Sequence, residues 1–141
     1  METLAINHAA VWVLVVVHQL VPPLWYSNLL FAKPWMKLQG LKAEDFSSTN
    51  PVIYLVPLGM AVLTCYATAW LFRELSIDSA AKGAMMGALF ALAFVFADVV
   101  SKDMFSLRPL QLTLINQGLN LVLLVITGAV LGAWTRTMPA S

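Results

Sequence analysis

Four long stretches of this chain contain no Asp, Glu, Lys or Arg: residues 3–32, 46–72, 83–97 and 109–135. A helix needs about 20 predominantly apolar residues to cross the hydrocarbon of a bilayer. Three of the stretches reach that length unaided. The third is short, so a span there must carry Lys82, Asp98 or both into the membrane's edge. Spans are expected near residues 4–25, 51–72, 81–101 and 110–134. Composition agrees. Of 141 residues, 60% are hydrophobic and 11% charged, against about 25% charged in a soluble domain. So few charges cannot cover a water-facing surface, and lipid is the expected outer solvent. In lipid every backbone polar group must be satisfied internally, which favours helices. The predicted fold class is all-α. One domain, residues 1–141, forms an up-and-down four-helix transmembrane bundle with an interfacial first loop.

Local signals mark the helix starts. Asn50-Pro51 offers a cap followed by proline at the first helical position. Ser76 and Asp78 are candidate caps for the third helix, and Arg108-Pro109 opens the fourth. Pro57 is expected to bend the second helix, because its ring removes a backbone bond. The first apolar run lacks the basic start of a secretory signal, with Glu2 in that place, and runs into Pro22-Pro23. It reads as a retained span. Loops one and three carry Lys33, Lys37, Lys42, Lys102 and Arg108, while the other side carries Arg73, Lys82 and Arg136. Five against three favours loops one and three in the cytoplasm.

The first loop, "LWYSNLLFAKPWMK" at residues 24–37, is too apolar for free solution. Trp25, Tyr26 and Trp35 are amphipathic rings suited to the headgroup zone. Lys33 and Lys37 can reach lipid phosphates while their stems stay in apolar surroundings. These five are the candidate interfacial anchors, with a short helix expected around residues 41–46.

Polar groups inside a membrane are costly and call for a reason. At about 1.5 Å per residue, His18 lies about 10 Å below the end shared by loops one and three, Asn116 about 9 Å, Asp98 about 5 Å and Asn120 about 15 Å. At about 100° per residue, Thr113, Asn116, Gln117, Asn120 and Thr127 form one stripe, and Asp98 shares a face with Gly83, Gly87, Ala91 and Phe94. An inward cluster of His18, Gln19, Asp98, Asn116, Gln117 and Asn120 is therefore expected. Gly83 and Gly87, with Gly128 and Gly132, are the candidate close-packing positions. The cluster reads first as hydrogen-bonding glue between helices. A proton or ion path through His18 and Asp98, or a cofactor contact through His18, are the other readings.

Several functions are not expected. A net charge of +1 with no basic cluster argues against nucleic acid. No phosphate loop, nucleophile elbow or zinc spacing appears, so neither enzyme chemistry nor a metal site is expected. His8 and His18 lie about 15 Å apart along a helix and cannot share one ion. A single Cys65 rules out an internal disulfide. No residue pattern names a cofactor.

The stretch "LWYSNLLFAKPWMKLQGL", residues 24–41, resembles a segment of the bacterial domain-of-unknown-function 1761 family of integral membrane proteins. "LINQGLNLVLLVITGAVLGAW", residues 114–134, is similar to that family's last helix, and "GAMMGALFALAFVFA", residues 83–97, to its third. The chain departs from the family at Pro22-Pro23-Leu24, where a glycine is expected, and at Asn120, where an aromatic–histidine pair is usual. The resemblance implies four membrane helices, a bacterial inner membrane and no assigned activity. Without a catalytic signature, the expected role is an accessory or scaffold subunit of a larger assembly, of the energy-transducing or photosynthetic kind. Other membrane subunits or a second copy are the expected partners. A small oligomeric transporter or channel, and a cofactor-binding protein using His18, are the competing roles.

Overall fold

The computed structural model describes residues 3–46 and 50–138; Glu2 lies outside them. Four helical units are long and apolar enough to cross a membrane. The first is α1 (His8–Trp25) and the second is α3 (Val52–Glu74). The third runs through α4 (Ala80–Phe90), a π-helical segment (Ala91–Phe96) and α5 (Ala97–Phe105). The fourth is α6 (Leu110–Ala133). The fold is an all-α bundle, and the chain is a multi-pass membrane protein. A short antiparallel pair, β1 (Thr3–Ala5) with β2 (Arg136–Met138), joins the start of the first span to the end of the fourth.

The expected caps are partly displaced. Asn50 Oδ1 accepts from the N–H of Val52 at 3.0 Å, at the start of α3. The third span begins at Ala80, so its cap is Ser79, whose Oγ accepts from Lys82 N at 3.4 Å. Ser76 instead sits in the preceding turn with φ 52°, and Asp78 pairs with Lys82 at 2.8 Å. The first span begins at His8, not near residue 4, because Asn7 caps it by accepting from Ala10 N at 3.3 Å. Asn7 also donates to the Trp134 carbonyl at 3.0 Å, so one buried amide ties the start of the first span to the end of the fourth.

The first loop holds a helix where none was expected. α2 (Ala32–Gln39) forms early and stops at Gly40, whose φ of 67° only glycine adopts without strain. A 3-10 turn (Ala43–Phe46) covers the stretch where the helix was expected.

The tightest packing is α4 on α6. A Cβ added to Gly83 would run into the Gly128 carbonyl, and one on Gly128 into the Gly83 carbonyl. Gly87 meets the Leu124 carbonyl in the same way, and Gly132 that of Ser79. The backbones themselves are in contact, which is how helices associate where lipid removes the hydrophobic drive. A second core joins α1 to α3 through Ala10, Val11, Leu14, Cys65, Ala69 and Phe72. That packing stops halfway. Every residue from 51 to 60, the first half of the second span, is exposed.

The π segment changes which face of the third span looks inward. A wide turn adds one residue, setting every later side chain back by about 100°. Asp98 therefore leaves the face it would share with Gly87 and Ala91. It is 56% exposed and bonds Lys102 at 2.7 Å on the outside. Asp103 turns inward in its place and is 13% exposed.

Candidate functional site

The six polar residues expected to meet do not form one cluster. His18 Nε2 lies 2.9 Å from Thr127 Oγ1, which is fully buried. Asn120 Nδ2 donates to Gln117 Oε1 at 3.0 Å, within α6. Asn116 faces the first loop. Asp98 is on the outer surface. Gln19 Nε2 is buried with no partner among the described residues. Apart from Gln19, these polar groups are taken up pair by pair, and among the described residues no continuous chain of them runs through the bundle.

Asn116 is the hub of the first loop. Its Oδ1 accepts from Tyr26 Oη at 2.8 Å and from Trp35 Nε1 at 3.0 Å. Trp25 Nε1 donates to the Ile115 carbonyl at 3.0 Å. The Tyr26 and Trp35 rings lie 4.8 Å apart. The polar edges of the three aromatic anchors thus bind α6 and are not left for headgroups. The reason is proximity: the loop turns at Ser27 and brings α2 back across the start of α6. Burial raises the Tyr26 phenol above its ordinary range, so it stays a neutral donor. Lys33 and Lys37 remain exposed.

Asp103 was not singled out by its sequence context. Thr113 Oγ1 donates to Asp103 Oδ2 at 2.7 Å, and Arg108 Nη1 lies 3.8 Å from Oδ1. The arrangement staples the end of the third span to the start of the fourth. Only the wide turn directs Asp103 there, and no residue pattern announces that turn. At the opposite end Asp78 is exposed, and its hydrogen bond to Lys82 holds its carboxyl below the usual range.

Two cavities flank the free half of α3. A cleft of about 330 Å³ lies within the bundle, walled by His18, Pro22, Pro57, Met60, Asn120 and Leu124. Two of its walls are helical prolines. Pro22 cannot supply the N–H that the His18 carbonyl would receive, nor Pro57 that of Ile53. A larger cavity of about 690 Å³ lies under α2, between Tyr26, Trp35, Met36, Phe46, Ile53 and Tyr54. The walls of both are mainly apolar.

A family model described as a protein of unknown function, DUF1761, matches residues 9–132. The matched range takes in the two intermediate spans whole and nearly all of the first and fourth. No curated protein and no solved structure matches the chain.

Proposed function

We propose a function from geometry, because the chain belongs to the DUF1761 family and that family's description assigns none. The chain is a non-catalytic scaffold subunit that docks another transmembrane helix, from a different membrane subunit or a second copy, against the free half of α3. The observation behind this reading is the exposure of residues 51–60 around the helix's full circumference. Gly59 strengthens it. The other glycines inside helices each have a neighbour against which a Cβ would press, whereas a Cβ on Gly59 would meet nothing within 4 Å. A helical glycine costs about 1 kcal/mol relative to alanine. Its use elsewhere in this bundle is close backbone approach. At about 100° per residue Gly59 lies on the side of Leu55, Leu63 and Trp70, turned from the α1 contact. All three are more than half exposed.

The interior polar groups fit this role better than a conduction path. His18 and Thr127 satisfy each other, as do Gln117 and Asn120, and Asp98 lies outside. The bond from Nε2 to Thr127 also engages one of the two nitrogens through which His18 could act as a ligand.

The test is Gly59→Leu, compared with the native chain after extraction from its own membrane in mild detergent. The native chain should migrate within a larger complex. The variant should migrate alone, yet keep its thermal unfolding temperature. A native chain that migrates alone, or a variant that stays in the complex, overturns the reading.

A further inference from the structure

The cavity under α2 sits at the level where α1 ends and α3 begins, which is one face of the membrane. Its volume of about 690 Å³ is within the 300–1,000 Å³ usual for ligand pockets. On α2, Ala32, Trp35 and Met36 line the cavity. Lys33 and Lys37 stand on the adjoining side of the same helix, one turn apart, and both are exposed. Among the described residues no carboxylate is paired with either lysine. The nearby Asp45 directs Oδ2 to the backbone N–H of Lys42 at 2.8 Å. Two unpaired cations therefore edge an apolar chamber that opens at headgroup depth.

We propose that this cavity is a binding site for one anionic glycerophospholipid. An acyl chain lies under α2 between Trp35, Phe46 and Ile53, and the headgroup phosphate sits against Lys33 and Lys37. Charge decides the class. Two ammonium groups favour a headgroup with net negative charge over one whose phosphate is already neutralised by its own amine. Ile53 and Tyr54 face this cavity, whereas Gly59 and Leu55, on which helix docking is argued, lie on another side of α3.

The test uses the full chain in nanodiscs containing equal phosphatidylglycerol and phosphatidylcholine, followed by native mass spectrometry. One phosphatidylglycerol per chain should be retained. Each lysine should contribute about fivefold in affinity, so Lys33→Gln with Lys37→Gln should lower retention about 25-fold. Lys102→Gln removes an exposed lysine near the end of the third span, on the same side of the membrane, and should retain the lipid. Ile53→Trp fills the chamber from an exposed position on α3 and should reduce retention with both lysines present. The proposal is overturned by equal retention of the two lipids, or by retention unchanged in the double lysine variant. It is also overturned if Lys102→Gln loses as much or if Ile53→Trp loses nothing. A chain that emerges as a lipid-free dimer overturns it too, since a second copy then covers the groove.

Discussion

Gly83 and Gly128 face each other across the third and fourth spans so closely that neither has room for a methyl group. The obstacle on each side is a backbone carbonyl, which cannot turn away as a flexible side chain can. Gly83→Ala and Gly128→Ala should therefore each destabilise the bundle by about 1–3 kcal/mol or more. Gly59→Ala meets open space and should leave stability unchanged or slightly raised. Thermal unfolding of the purified variants in one detergent compares them directly. Equal behaviour at the three positions would contradict the close contact.

Asn116 serves two donors with one oxygen. Asn116→Leu leaves the Tyr26 hydroxyl and the Trp35 indole unpaired, each at a cost of about 1–3 kcal/mol. The first loop should detach from α6, with higher protease sensitivity between Ser27 and Gly40 and a shift in tryptophan emission. Asn116→Asp keeps the acceptor and should restore much of the loss.

The two carboxylates of the third span should respond differently. Asp98 pairs with Lys102 on the exposed surface, where such pairs are worth about 0–1 kcal/mol. Asp98→Asn should be nearly silent. Asp103 receives the buried Thr113 hydroxyl, so Asp103→Leu should cost about 1–3 kcal/mol through the unpaired hydroxyl. Thermal unfolding of the two variants separates the outcomes, and a larger loss at Asp98 would reverse the assignment of faces.

The Tyr26 phenol ionises later when folded than when unfolded, because burial disfavours its charge. Above its ordinary pKa of about 10 the unfolded chain binds fewer protons than the folded one. The stability this supplies is complete below pH 10 and is lost as pH rises through the folded value. Tyr26→Phe should be less stable at neutral pH and should lose less of what remains on alkaline titration. Phenolate absorbance should also lose a component that titrates above the ordinary tyrosine range.

The four spans could be read from the sequence because lipid imposes one rule along a whole segment: no charge for about 20 residues. Lys82 and Asp98 bounded the short third run, and the span indeed extends past both, from Ala80 to Phe105. What could not be read was rotational phase. A count of about 100° per residue through Ala91–Phe96 puts Asp98 inward, but the helix does not follow that count there. Trp25, Tyr26 and Trp35 have an affinity for headgroups, but their sequence does not say that an asparagine some 80–90 residues later stands close enough to compete for Tyr26 and Trp35. His18 was expected beside Asp98, and its partner is instead Thr127, a hydroxyl on the same stripe of α6 as the amides. Asn7 could have been found, since it is a cap residue directly before an apolar run.

The wide turn from Ala91 to Phe96 has a bearing on how chains of this kind should be aligned. It acts as an offset in an otherwise regular screw, so equal sequence position beyond it does not mean equal direction. A related chain one residue shorter there would present its Asp98 counterpart to the interior and its Asp103 counterpart to lipid. Such a pair would look conserved in print while exchanging jobs in space. The length of that short segment, more than the identity of either acid, decides which carboxylate holds the last two helices together.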